Sequence, residues 1–283
     1  MLKVAITGSR GFVGSAIVRK IRDLEVELIE IDFELGYDMT DWNSLSNIVH
    51  FDVLIHLAAK TYVPDSFKNP ASFYKTNVIG TLNALELCRK YRAKMIYTSS
   101  YVYGSPNYLP IDETHPVSAF NPYAQSKLLG EELCRAYYRD FGVPSIIFRP
   151  FNIYGKGQNE NFLIPSIIKQ AHTGIIELND PRPKRDFIYI DDVADAYLKA
   201  IFTNLNTFEI FNLGSGASTS IQDLVDIVLK KIKNNITLKY TGVQRKNEVL
   251  ETRADVSKSN KLLKWKPIFD IDKGVNNIIC DEV

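Results

Sequence analysis

The chain has little of what would mark a secreted, metal-dependent or nucleic-acid-binding protein. Its three cysteines, Cys88, Cys134 and Cys280, are scattered among 283 residues with no Cys-x-x-Cys pair. An odd, dispersed set excludes a disulfide framework or a zinc knuckle and suits a reducing compartment. His50, His56, His115 and His172 lack ligand spacing, so no metal is expected. Charge of one sign is also missing. The net charge is +1, which leaves no electrostatic case for nucleic acid or an anionic membrane. No apolar run reaches the ~18 residues of a membrane span. Residues 1–7 pass straight into a strand-like run without signal-peptide organisation. A soluble, cytoplasmic protein is expected.

What is present is a large apolar share, 45% of residues, enough for a full core. Residues 2–7 read as a buried strand, followed by Gly8-Ser9-Arg10-Gly11-Phe12-Val13-Gly14 and an amphipathic helix. Glycines at Gly8, Gly11 and Gly14 between strand and helix let the backbone turn tightly and approach a pyrophosphate at the positive helix end. The next strand ends at Asp32, 18 residues beyond Gly14. A carboxylate there accepts from an adenine ribose and repels a 2′-phosphate, so NAD is favoured over NADP; the competing reading is that Asp32 caps a loop. Residues 51–56 read as a third strand running into Leu57-Ala58-Ala59, small enough for a ligand to pass close by. Residues 69–91 read as one long helix, and 93–98 and 144–149 as further strands. Strands alternating with helices predict an α/β fold, a doubly wound parallel sheet of Rossmann type, with ligands at the strands' carboxyl ends.

The stretch from Asn121 to Leu133 carries the chemistry. Asn121-Pro122 is a helix start, and Gly142 and Pro144 end the helix. Tyr123 and Lys127 are then i and i+4 on one face. A phenol is no base at neutral pH unless a nearby cation favours the phenolate, and Lys127 supplies one. Such a pair suits proton transfer, although a surface Tyr and Lys four apart is the plain alternative. After Arg149 the alternation breaks down. Residues 1–150 are expected to form the NAD-binding domain. Residues 151–283 are expected to form a smaller α/β substrate lobe, with some elements returning to the first domain.

The chain resembles the extended short-chain dehydrogenase/reductases, in their NAD-dependent nucleotide-sugar epimerase/dehydratase branch. The residues that carry the resemblance run in family order. They are Thr7-Gly8-x-x-Gly11-x-x-Gly14, His56-Leu57-Ala58-Ala59, Thr76-Asn77-Val78-x-Gly80-Thr81 and Thr98-Ser99-Ser100-x-Val102-Tyr103-Gly104. Tyr123-x-x-x-Lys127, Arg149-Pro150-Phe151-Asn152-Ile153-Tyr154-Gly155, Arg185-Asp186-Phe187-Ile188-Tyr189, Asn212-Leu213-Gly214-Ser215-Gly216 and Ala254-Asp255-Val256-Ser257-Lys258 follow. Together they cover nearly the whole length.

The resemblance implies a catalytic set of Ser99, Tyr123 and Lys127, with Ser99 on the reacting sugar oxygen and Lys127 also on the nicotinamide ribose. It implies cofactor contacts from Phe12, Val13, Asp32, Asp38, Met39, Leu57, Ala58, Ala59, Asn77 and Phe151. Asn152, Arg185 and Arg245 match positions that hold the nucleotide diphosphate, and guanidinium forks suit that anion. Thr252, seven residues after Arg245, matches a position beside the sugar, where a small residue is expected to admit an N-acetyl group. Helices at 70–90 and 122–140 would form a homodimer's four-helix bundle. Two departures from the family pattern narrow the reaction. Ser100-Tyr101 stands where dehydratases carry Asp-Glu, which argues against 4,6-dehydration. Thr61 stands where some epimerases carry a lysine near the cofactor phosphates. The expected activity is an NAD-dependent 4-epimerase of a nucleoside-diphosphate sugar. Its rivals are a 4-ketoreductase with the same residues and, from another class, a non-catalytic dinucleotide-binding sensor or scaffold.

Overall fold

The computed structural model describes residues 1–232, 235–244 and 248–280. Arg245 and Lys233 lie outside the described residues. Five strands of the first half, β1 (Leu2–Thr7), β2 (Val26–Ile31), β3 (Val53–His56), β4 (Lys94–Thr98) and β5 (Ser145–Pro150), join a sixth from the second half, β6 (Phe208–Leu213). They form one sheet in the order β6-β5-β4-β3-β1-β2. Every pair is parallel. The fold is therefore the expected Rossmann-type α/β architecture.

A parallel sheet needs both faces covered, and the strands are apolar on both sides. Val4, Ile6, Val53 and Ile55 pack on one face with Ile17 and Ile21 of helix α1 (Phe12–Ile21). On the other face Ala5, Leu54, Met95 and Tyr97 meet Leu85 and Cys88 of α2 (Gly80–Tyr91) and Cys134 and Tyr137 of α3 (Pro122–Phe141). The helix Ile190–Phe202 supplies Ala196 and Tyr197 to the first face, and Lys20 of α1 donates to Asp195 at 2.5 Å. The halves of the sequence are thus interleaved through both β6 and this helix.

The α3 boundaries follow the sequence signals. The Asn121 side chain accepts from Ala124 N at 2.8 Å, Pro122 opens the helix, and Gly142 closes it at φ +67°. The single helix expected at 69–91 is divided. Pro70–Tyr74 is a short α-helix, Lys75–Ile79 is a π-turn, and α2 follows; a further short helix, Val63–Lys68, precedes them. The wider turn carries Asn77, whose buried amide exchanges hydrogen bonds with Lys60 N and O and donates to Ser126 Oγ. A π-turn is invisible to a 3.6-residue period.

The rest of the second half forms short ribbons around the sheet's carboxyl edge. Asn152–Tyr154 pairs with Phe187–Tyr189, Ile175–Leu178 with Thr237–Tyr240, and Lys184–Arg185 with Thr219–Ser220. Helices Leu163–Thr173, Ile221–Lys231, Ser257–Leu263 and Ile271–Cys280 complete it. Among the described residues, no helix is long and apolar enough to cross a membrane.

Candidate active site

A cleft of about 1470 Å³ opens over the carboxyl ends of β1 to β5. Its wall includes Gly8, Gly11, Phe12, Val13, Gly14, Asp32, Asp38, Met39, the 57–59 run, Ser99, Tyr123, Lys127, Phe151, Asn152 and Arg185. Residues far apart in sequence converge because parallel strands bring their following loops to one edge.

At the β1 end the chain must turn back on itself. Gly8 sits at φ +71°, and a Cβ there would lie 2.8 Å from Ala58 N; one on Gly14 would lie 2.1 Å from Gly8 O. These glycines therefore allow β1, α1 and the 57–59 run to touch. Helix α1 begins at the cleft with no side-chain cap and no acid in its first turn, so its amide donors and dipole suit a pyrophosphate. Asp32 is a turn cap: its carboxylate accepts from Glu34 N and also reaches the glycine loop through Arg10 N, each at 3.0 Å. Its carboxylate is thereby fixed at the cleft wall. This donor and acceptor set fits a dinucleotide, with the pyrophosphate at Gly8–Gly14 and a ribose at Asp32.

The catalytic candidates are positioned by the packing of α3 on β4. Tyr97 occupies the space a side chain at residue 130 would need: a Cβ on Gly130 would lie 2.1 Å from the Tyr97 hydroxyl. That hydroxyl donates to Lys127 O at 3.1 Å. The close approach places Tyr123 and Lys127 beside Thr98, Ser99 and Ser100. Lys127 Nζ donates to Thr98 O at 2.7 Å and lies 5.1 Å from the Tyr97 ring centre. Burial with no carboxylate partner lowers its pKa to about 7. Tyr123, expected to be depressed by Lys127, is shifted the other way. Burial raises its pKa, and a hydrogen bond with the Ser100 hydroxyl only partly offsets this.

Ser99 is 1% exposed, and its hydroxyl donates to Glu131. Glu131 is in turn held by Arg149, through Nε at 2.9 Å and Nη2 at 2.6 Å. Neither partner was singled out from the sequence, though both lie within quoted motifs or one turn beyond. Tyr101 fills the place of the dehydratase carboxylate, its hydroxyl on Gly104 O at 2.6 Å and its ring against Phe151 at 5.2 Å.

At the far end of the cleft Arg185 forms an ion pair with Glu248 and donates to Val249 O at 2.6 Å. Asn152 donates to Asp186 O at 3.1 Å. Two expected contacts are not brought to the cleft. Asn77 is buried with its amide committed to Lys60 and Ser126, so it shapes the wall from behind. Thr252 is 3% exposed and accepts from Asp186 N at 3.1 Å. Its neighbours are the Lys184–Arg185 ribbon, and the spacing from Arg245 does not carry it to the cavity.

Comparison with known proteins gives a consistent picture. Residues 4–214 match the NAD-dependent epimerase/dehydratase family. A provisionally named UDP-glucose 4-epimerase of Methanocaldococcus jannaschii is 34% identical, covering 98% of this chain and 97% of that protein. The GDP-6-deoxy-D-mannose reductase of Pseudomonas aeruginosa is 29% identical, over 99% and 96%. Among solved structures, a UDP-N-acetylglucosamine 4-epimerase from Methanobrevibacter ruminantium, in complex with UDP-N-acetylmuramic acid, superposes with a TM-score of 0.87 at 26% identity, covering 99% of each chain. With the cleft's dinucleotide-fitting end and its Tyr-Lys pair, these matches mean that the chain belongs to the NAD-dependent epimerase/dehydratase family of extended short-chain dehydrogenase/reductases.

Proposed function

We propose that the protein is an NAD-dependent 4-epimerase of a nucleoside-diphosphate sugar. The observation that carries this reading is the convergence on one cleft of a dinucleotide-fitting glycine turn, the Ser99-Tyr123-Lys127 set and the Arg185 fork. Bound NAD would supply the hydride acceptor and return the hydride. Tyr123 would exchange the proton of the C4 hydroxyl, Ser99 would orient that oxygen, and Arg185 with Asn152 would hold the diphosphate. The 4-keto sugar would turn over in a cleft of this volume before hydride returns to its other face. The part of the chain up to residue 150 would serve the cofactor and most of the remainder the substrate. Exposed Ile79, Leu129 and Phe141 on or beside α2 and α3 support a homodimer built on these helices.

The second reading is a 4-ketoreductase, supported by the similarity to the Pseudomonas aeruginosa reductase. The cofactor's fate separates the two. An epimerase regains the hydride it gives up and works with resident NAD, whereas a reductase exchanges its cofactor every cycle. Purified protein is expected to carry NAD and to interconvert UDP-glucose and UDP-galactose, or another C4 pair in a nucleotide-sugar panel followed by NMR, without added cofactor. Tyr123→Phe should cut turnover by ~10² or more by removing the acid–base group. Stoichiometric consumption of reduced nicotinamide with a 4-keto sugar, and no epimerisation, would establish the reductase instead.

A further inference from the structure

The stretches around residues 152, 185, 215 and 254 lie far apart in sequence and meet at one fully buried side chain, Asp186. Its Oδ1 accepts from Ser215 N at 2.6 Å and from Ser215 Oγ at 2.7 Å. Its Oδ2 accepts from Gly216 N at 3.0 Å and from Ala254 N at 2.9 Å. The main chain of the same residue is used as fully. Asp186 N donates to Thr252 Oγ1 at 3.1 Å, and Asp186 O accepts from Asn152 N at 3.0 Å and Asn152 Nδ2 at 3.1 Å. The approach is close enough to require glycine at 214, where a Cβ would lie 2.8 Å from Asp186 Oδ2 and 2.5 Å from Ala254 Cβ. A buried carboxylate is tolerated when its lone pairs are taken up in this way.

We propose that Asp186 is the positioning residue of the cleft's diphosphate end, fixing Arg185 and Asn152 before the nucleotide arrives. The inference rests on the reading of those two residues as diphosphate holders. Arg185 is its neighbour in the chain. The guanidinium's partners, Glu248 and Val249 O, lie on the run that Asp186 anchors at Thr252 and Ala254. Asp186 therefore holds both the root of the arginine and the surface on which its fork rests. Asn152 is held through Asp186 O, by main chain and side chain alike. The Asp186 oxygens are consumed by these donors, so the residue acts on a ligand only through Arg185 and Asn152. Side chains held in place beforehand lose less freedom on binding an anion, which favours association.

The test is Asp186→Asn, which keeps the shape and puts an NH2 where one oxygen stood. In either orientation that NH2 faces at least one amide N–H in need of an acceptor. UDP binding, measured by calorimetry, should weaken at least about tenfold, since a buried donor is left unsatisfied beside Arg185. NAD binds at the other end of the cleft, and its affinity should change by less than about twofold. In an Asp186→Asn background Arg185→Lys should cost less than about threefold, because an arginine already displaced has little left to lose. A merely structural role would weaken both ligands and leave the two substitutions additive. Equal losses for UDP and NAD, no loss of UDP, or an undiminished effect of Arg185→Lys overturns the proposal. If Asp186→Asn does not fold, Ser215→Ala withdraws one donor from the same carboxylate and takes its place. A UDP loss of about threefold that vanishes in an Arg185→Lys background then supports the proposal, and no loss, or the same loss in both backgrounds, overturns it. If Arg185→Lys alone leaves UDP affinity unchanged, the diphosphate reading falls. The crystal structure of the variant then decides the positioning: Arg185 displaced from Val249 O supports it, and Arg185 still in place there overturns it.

Discussion

Lys127 lies one helical turn after Tyr123, and its ammonium rests on the carbonyl of Thr98 at 2.7 Å. The lysine is thus anchored to the sheet before any cofactor arrives. Its proton affinity in that position has consequences for stability. Burial brings its pKa from the ordinary 10.5 down to about 7. Between those values the unfolded chain binds more protons than the folded one, so this group makes stability rise with pH across the window. Below pH ~7 both states are protonated and the full cost of burying the charge is felt. Lys127→Met lacks this dependence. Urea unfolding of cofactor-free protein is expected to show the wild type gaining on the variant between about pH 7 and 10. A difference that is flat or falls with pH would mean the lysine is not desolvated.

Gly130 should tolerate no side chain. An added methyl would lie 2.1 Å from the Tyr97 hydroxyl, so the helix carrying Tyr123 and Lys127 must shift. Displacements on the order of 1 Å at a catalytic group cost ~10² in rate. Gly130→Ala should lose turnover on that scale, and Tyr97→Leu in the same chain should recover part of it. A fully active Gly130→Ala would show that the helix register is set elsewhere.

Asp32→Asn removes the charge and keeps one acceptor oxygen, enough for Arg10 N or Glu34 N but not for both, since each bonds a different carboxylate oxygen. The preference for NAD over NADP should shrink at least about tenfold, because repulsion of a 2′-phosphate is lost. Calorimetry with both cofactors measures it, and an unchanged ratio would reduce Asp32 to a turn cap.

Arg185 is already oriented by the Val249 carbonyl and Glu248. Lysine cannot keep such a carbonyl bond while meeting an anion with a planar fork. Arg185→Lys is expected to weaken UDP binding about tenfold while leaving NAD affinity unchanged, since a charge-assisted bond is lost at one end of the cleft only. Equal losses for both ligands would point to a general collapse of the cleft.

Local signals were the legible ones. The glycine turn, Asp32 and the Asn121-Pro122 start of α3 are short-range patterns whose chemistry is fixed by neighbours in sequence. Each stands in the structure where it was expected. Thr252 failed because spacing along a chain does not determine which way a short ribbon faces; its hydroxyl is consumed by the Asp186 amide. Asn77 failed similarly, since the π-turn rotates it toward Lys60 and Ser126. Glu131 and Arg149 look like ordinary charges on a helix and a strand until the fold buries them together at 2.6 Å. The shift at Tyr123 was read with the wrong sign, because the expectation counted the cation and not the desolvation.

The pairing of β6 with β5 ties synthesis order to solubility. Residues 151–207 separate the two strands, so a growing chain completes β5 well before its edge partner exists. At ribosomal speeds of 5–20 residues per second, that edge waits roughly 3–11 s with its amides and carbonyls unpaired. An open, apolar strand edge is a template for another chain. A fragment ending near residue 150 would keep that edge permanently and would tend to aggregate.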